Sequence, residues 1–402
     1  MQRLNDAILR LLALEHRIDP YFRDTFDALL KKPLAALVQF LLRLKHPSRE
    51  SHLCQELLIP REAETTAEIT AQMARFTTRE YQGRIAERAG NTKTYGVVRA
   101  EFEVLENLPT HLRQGVFARP IRFPAWIRFG GPGPRSPPDV EDAGILSIGI
   151  KLMGVAGEKL LDDEKHTQDF LGISSPTFTT PDVNENLKLQ RHIYAGTSIF
   201  YFINPLDSHY LDMLMQGLYA RMNTSPLEVR YWSCVPYLCG EGQAIKYSVR
   251  PRSPYKTKIP WNPPDDWLRQ SMMRTLSAEQ VELEFSIQVQ TDPRRMQIEN
   301  ASLEWPERLS PFVPVANIRI PQQAFDSPEQ MAFARRLSFN PWHALPAHRP
   351  LGNQNRARRT IYFELSRLRQ SMNGEGGMEP DGSPQRLETF GSIQGRGHEQ
   401  PN

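Results

Sequence analysis

Between residues 98 and 104 the chain alternates two kinds of side chain. Val98, Ala100, Phe102 and Val104 share one parity, and Arg99, Glu101 and Glu103 share the other. A period of two buries its apolar set only as one face of a sheet. An all-helical bundle is therefore excluded, and partner strands are required. Residues 126–129, 146–153, 244–249 and 281–290 are the predicted partners. The cluster Gly130-Gly131-Pro132-Gly133-Pro134 has no Lys-Ser/Thr after it and reads as a turn, not a phosphate cradle.

The first 80 residues have a different texture. Leu4, Ile8, Leu11, Leu12 and Glu15 fit an amphipathic helix expected to stop near Pro20. Residues 34–44 are nearly continuous Leu, Ala, Val and Phe, entered through Lys31, Lys32 and Pro33 and closed by Arg43 and Lys45. Proline suits a first helical turn. The segment reads either as a helix buried against the core or as one lying on a membrane surface. Further helices are predicted over 66–81, 208–222 and 356–370. Helices before, between and after antiparallel strands make an α+β fold around one sheet or barrel. The expected divisions are a helical extension over 1–80, a main domain over 81–371 and a disordered tail over 372–402, where Gly, Ser, Pro and Gln dominate.

Composition narrows the class. Of 402 residues 40% are hydrophobic, enough for a large core, and 33 prolines suit strands and loops. Lys plus Arg number 49 against 46 Asp plus Glu, and a net charge of +3 is too small to announce a nucleic-acid partner. Cys54, Cys234 and Cys239 form no CxxC pair and no disulfide framework, which points to reduced thiols and a cytoplasmic setting. No apolar run reaches the roughly 18 residues of a transmembrane helix, and the first residues have no signal core.

The last predicted helix carries the chemistry. Arg358, Tyr362 and Arg369 stand at i, i+4 and i+11, within roughly 40° of one another around the axis. A guanidinium beside a phenol favours phenolate, and tyrosinate is a haem-iron ligand. A packed Tyr beside a solvated Arg is the plainer reading of the pair taken alone.

Several ordered motifs together resemble the catalase superfamily. Leu337-Ser338-Phe339-Asn340-Pro341-Trp342-His343 followed by Arg358-x-x-x-Tyr362 resembles that family's proximal haem segment, with Arg369 at the position that reaches a haem propionate. Glu87-Arg88-Ala89-Gly90-Asn91-Thr92-Lys93-Thr94 resembles the distal motif, and Ile127-Arg128-Phe129 the Arg-Phe strand motif. The stretch from Asp169 to Phe178 resembles a third segment. The resemblance implies a catalase-like antiparallel β-barrel with surrounding helices and the N-terminal helical extension, without the C-terminal helical domain of large catalases. It implies haem b with Tyr362 as axial ligand. Arg88, Arg128, Arg358, Arg369 and Phe178 would bind the cofactor.

Three distal positions depart from the pattern. Asn91 stands where the family has His, Gly130 where a supporting Ser stands, and Ile173 where an Asn orients peroxide. An amide holds a peroxide by hydrogen bonds but cannot carry its proton. This pattern is similar to the catalase-related enzymes that rearrange fatty-acid hydroperoxides to allene oxides or other epoxides. The implied catalytic residues are Asn91 and Tyr362. The implied substrate is a fatty-acid or other organic hydroperoxide supplied by a separate lipoxygenase or dioxygenase, with peripheral membrane contact and homo-oligomerisation left open. Two alternatives stay open: a catalase or peroxidase acting on hydrogen peroxide, and a haem-binding protein without catalysis. Asn91→His, joined by Gly130→Ser and Ile173→Asn, is expected to restore catalase activity stepwise. His343 and His348 are expected to cap and pack, not to bind metal.

Overall fold

A computed structural model describes residues 2–142, 144–253 and 257–380. The alternating segment forms β1 (Thr94–Val104), paired antiparallel with β2 (Arg122–Gly130), which pairs in turn with β3 (Ser147–Met153). Next come β4 (Thr167–Ile173), the two-residue β5 (Tyr231–Trp232) and β6 (Tyr237–Leu238), then β7 (Ala244–Pro251), β8 (Val281–Val289) and β9 (Val313–Ile320). The ladder runs β5-β4-β3-β2-β1-β9-β8-β7-β6, and β5 also pairs with β7 through Tyr231↔Val249 and Trp232↔Ser248. That last pairing closes an eight-stranded antiparallel barrel, with β6 a short hairpin arm on β7. Closure removes the exposed sheet edges.

Side chains fill the barrel. Phe102 from β1, Phe170 from β4, Tyr247 from β7 and Phe285 from β8 meet Phe117 from a loop, with ring centroids 5.0–6.3 Å apart. Such offset and edge contacts add to the area that each ring buries. His348 joins the cluster 5.2 Å from Phe117. Its Nε2 accepts the Val116 N–H at 3.0 Å, leaving Nδ1 to donate to the Leu238 carbonyl. Burial pushes it down to about 4, so it is a neutral packing residue.

Helices surround the barrel. In the N-terminal region lie α1 (Gln2–Phe26), α2 (Lys32–Lys45) and α3 (Glu62–Glu80). Between β4 and β5 lie α4 (Val183–Tyr194), α5 (Ser198–Ile203) and α6 (Tyr210–Tyr219). Later come α7 (Trp267–Ala278), α8 (Pro328–Arg336) and α9 (Asn353–Met372). Ile69 of α3, Val183 and Leu187 of α4, and Ala357, Ile361 and Leu365 of α9 form one apolar seam. Val97, Trp126 and Met153 on the outer barrel face pack against Ala334 and Leu337.

Two expectations need correction. Helix α1 does not stop near Pro20; it runs through that residue to Phe26 and joins α2 by a π-turn over Asp27–Lys31. Tertiary bonds on either side offset the hydrogen bond that proline removes. Asp19 accepts the Met222 N–H at 2.7 Å, and the Arg23 guanidinium donates to the carbonyls of Gly217 and Leu218. The ordered chain also continues past Met372. Met378 bridges to Leu337, and the Glu379 carboxylate accepts the N–H groups of Lys165 and His166. Residues 381–402 of the expected tail lie outside the described residues.

Candidate functional site

Helix α9 faces the outer surface of β2–β4 across a cavity of about 1140 Å³. All seven residues predicted from the sequence line it: Arg88, Asn91, Arg128, Phe178, Arg358, Tyr362 and Arg369. Drug-sized pockets run to roughly 1,000 Å³, so this one has room for more than a small substrate.

The floor comes from α9. Arg358 precedes Tyr362 by one helical turn and holds its guanidinium carbon 6.0 Å from the phenol ring centroid and 5.3 Å from that of Phe178. Its Nη1 donates to Asn355 Oδ1 at 3.2 Å. Burial disfavours its charge, but Tyr362, Tyr237, Cys234 and Tyr247 outweigh that and leave its pKa raised. Arg358 is thus a fixed cation beside the phenol ring of Tyr362.

A charged cluster supports the segment over the floor. The buried Lys151 ammonium lies 2.7 Å from Asp169 and also bonds Glu164. His343 Nδ1 lies 2.9 Å from Asp169, and its Nε2 lies 3.1 Å from Asp163. Asp169 also accepts the Asn340 N–H at 2.9 Å, which fixes the Phe339–Asn340 step. Glu164, Asp169 and His343 have the spacing of a metal site, but the Lys151 ammonium already serves as their cation. His348 packs inside the barrel, whereas His343 belongs to this ionic cluster.

Three other cations lie along the distal rim and the end of α9. Arg88 Nη2 donates to the Ala334 and Leu337 carbonyls at 3.0 and 2.7 Å, and Arg369 Nη2 reaches the same Leu337 carbonyl at 3.1 Å. Arg128 Nη2 holds the Asn91 carbonyl at 2.6 Å and the Thr94 hydroxyl at 2.8 Å. Among the described residues none of the three has a carboxylate at ion-pair distance, and the buried Arg369 Nε has no hydrogen-bond partner. Burial, with repulsion from Arg128 and Arg369, lowers the pKa of Arg88. Burial, with repulsion from Arg369, pushes Arg128 down to about 10. Burial does the same for Arg369. Buried cations are ordinarily paired. Guanidinium groups placed in this way could hold an anionic ligand in the cavity.

The roof is nearly inert. Asn91 has φ 48°, in the left-handed region that Asn tolerates, so its carbonyl meets Arg128 while its residue lines the cavity. Ile173 adds an apolar wall. At Gly130 an added Cβ would stand 2.6 Å from Arg128 Nη1 and 2.9 Å from the Lys93 carbonyl. Gly130→Ser would therefore displace Arg128, and the expectation that it aids catalysis is withdrawn.

Sequence reasoning missed one wall. Leu9, Leu12 and Phe22 of α1, Leu34 of α2 and Ile193 of α4 also line the cavity. The signal was present in α1, where Asn5, His16, Asp19 and Arg23 recur on a single face.

No family model matches the sequence, and no curated protein matches it. Solved structures do. A fungal catalase matches with TM-score 0.59 at 13% identity over 82% of this chain and 66% of its own. A bacterial catalase matches with TM-score 0.56 at 14% identity over 88% and 71%. Catalase A from Saccharomyces cerevisiae matches with TM-score 0.56 at 14% identity over 80% and 68%. The chain thus spans just under two thirds of the fungal catalase's length, and its fold is catalase-like.

Proposed function

We propose that this chain binds haem b in the cavity and converts organic hydroperoxides, with fatty-acid hydroperoxides the preferred class. The observation that carries this reading is the cavity itself: one space lined by a phenol beside a buried cation, three unpaired guanidinium groups and long apolar walls. The residues fit the cofactor. Tyr362 would hold the iron through its phenol oxygen with Arg358 as the cation beside it, and Arg88, Arg128 and Arg369 would hold the two propionates. Haem, when bound, supplies the iron at which an O–O bond is cleaved.

The chain's own groups set the substrate. The Asn91 amide can donate to a peroxide oxygen and hold it, but it has no titratable proton to relay. Hydrogen peroxide needs that relay, and its loss costs about 10²–10⁴ in rate. An alkyl hydroperoxide gains instead from apolar burial along Ile173, Leu9, Leu12 and Phe22, at roughly 0.8 kcal/mol per methylene. Its supply requires a reaction that adds dioxygen to an unsaturated chain, such as a separate lipoxygenase or dioxygenase.

Haem-reconstituted protein is assayed with a fatty-acid hydroperoxide, cumene hydroperoxide and hydrogen peroxide in parallel. Loss of conjugated-diene absorbance with little oxygen evolution is expected, and Tyr362→Phe should lose both that activity and the wild-type Soret band. Rapid oxygen evolution by the wild type would replace this reading with a plain catalase. Haem binding with no turnover of any of the three would leave a haem-binding protein.

A further inference from the structure

Helix α1 is built inside out. Its polar residues face the body of the protein: Asn5 Oδ1 accepts the Ile199 N–H at 3.0 Å, Asp19 accepts that of Met222, and Arg23 donates to α6. Its apolar residues Leu4, Leu11, Leu14, Ile18 and Tyr21 recur at helical spacing and are each more than half exposed. Helix α2 buries Ala35, Val38, Gln39 and Leu42 yet presents Leu37, Phe40 and Leu44, again more than half exposed. An ordinary surface helix does the reverse.

We propose that these outward faces of α1 and α2 seat the protein on an anionic phospholipid surface. Three observations favour lipid as the occupant. The first is charge: exposed Arg3, Arg10, Arg17 and Lys32 border the apolar face with no ion-pair partner among the described residues and outnumber the equally exposed and unpaired Asp6 and Glu15, while Asp19 and Asp27 are tied to Arg23 and Asp24 to Arg221. Apolar stripes edged by Lys and Arg suit an interface of acyl chains below and phosphates above. The second is an aromatic pair, Tyr21 and Trp261, stacked edge to face at 5.9 Å with Trp261 87% exposed, as side chains at the headgroup level are. The third is continuity. Leu9, Leu12, Phe22 and Leu34 line the cavity while remaining exposed, so the cavity opens on this face. A second copy seated here would cover that opening; a bilayer feeds it. Delivery of a membrane-borne hydroperoxide rests on the proposed function, whereas docking does not.

The test is flotation of the full-length protein with vesicles of phosphatidylcholine alone or mixed with phosphatidylglycerol. The wild type should float with the mixed vesicles and be released by salt. Leu37→Glu and Phe40→Glu should each lower the partition about tenfold. Leu58→Glu, exposed outside both helices, should leave it unchanged. Leu37→Ser and Phe40→Ser serve if a charged variant does not fold. Failure of the wild type to float at low salt overturns docking. So does a lipid-free dimer that Leu37→Glu dissociates while vesicle binding stays absent. Flotation without hydroperoxide turnover removes the functional reading and keeps docking; turnover without flotation does the opposite.

Discussion

The two sides of the cavity follow opposite electrostatic plans. Beneath the proximal segment, Lys151 and His343 sit among Asp163, Glu164 and Asp169, so each cation has its anions inside the protein. At the rim, Arg88, Arg128 and Arg369 bond carbonyls and a hydroxyl, and among the described residues none has a carboxylate at ion-pair distance. The ring of Phe339 lies between the two regions, 5.6 Å from Lys151 Nζ and 5.9 Å from the Arg88 guanidinium carbon. One region is complete as folded. The other leaves its guanidinium groups without a carboxylate at ion-pair distance among the described residues, and there the proposed function puts the propionates.

The largest test of this contrast uses paired substitutions in haem-free protein. Lys151→Met leaves Glu164 and Asp169 buried without their cation and should destabilise by about 3–5 kcal/mol. Arg369→Met removes a buried cation that has no carboxylate at ion-pair distance among the described residues and should stabilise by about 1–3 kcal/mol. Denaturant midpoints give both signs. With haem added the second should invert, since Arg369→Met gives up a propionate contact. Equal destabilisation by both in the haem-free state would show that the rim needs no ligand.

Next in size is the roof. Asn91→His places a titratable group in the cavity lining, and His is among the residues that tolerate the left-handed backbone found there. Oxygen evolution from hydrogen peroxide should rise by about 10², the lower end of the range for a general acid–base, because Ile173 cannot help orient the peroxide. Ile173→Asn should add to it. Gly130→Ser should instead reduce haem retention by crowding Arg128. A wild type that already evolves oxygen as fast as Asn91→His would show that the roof does not limit the reaction.

How far the sequence revealed all this varies by region. The residues that meet in the cavity were legible because they sit in ordered motifs along one chain. Strand β4 was not legible. Thr167, Gln168 and Asp169 are polar yet buried, since the proximal segment covers the outer barrel face, and no alternation survives. Strand β9 carries Pro314 and escaped for that reason. The periodicity of α1 was visible, but periodicity does not say which face meets the core. The buried bonds of Asn5, Asp19 and Arg23 decide that, and their partners lie 194–203 residues away in sequence.

The smallest effect probes the complete side by pH. Burial and Lys151 disfavour charge on His343, but Asp163 and Asp169 outweigh them and hold it up to about 9. An unfolded histidine titrates near 6.5. The folded state therefore binds the extra proton between these values, and the stability it contributes is full below about 6.5 and lost as pH rises through about 9. His209, held up to about 9 by Asp212 and Glu185 against burial, acts in the same sense. Lys159 and Lys246, pushed down to about 8 by burial, act in the opposite sense above that pH. The wild-type profile mixes all four, so the readout is a difference. The gap in midpoint between wild type and His343→Gln should be widest near pH 6 and narrow steadily towards pH 9.5. His209→Gln should leave that narrowing in place, because its carboxylates belong to a separate cluster at Glu185 and Asp212. A gap that stays constant with pH would mean that His343 is neutral in the folded protein, and the proximal side would then lose one of its two paired cations.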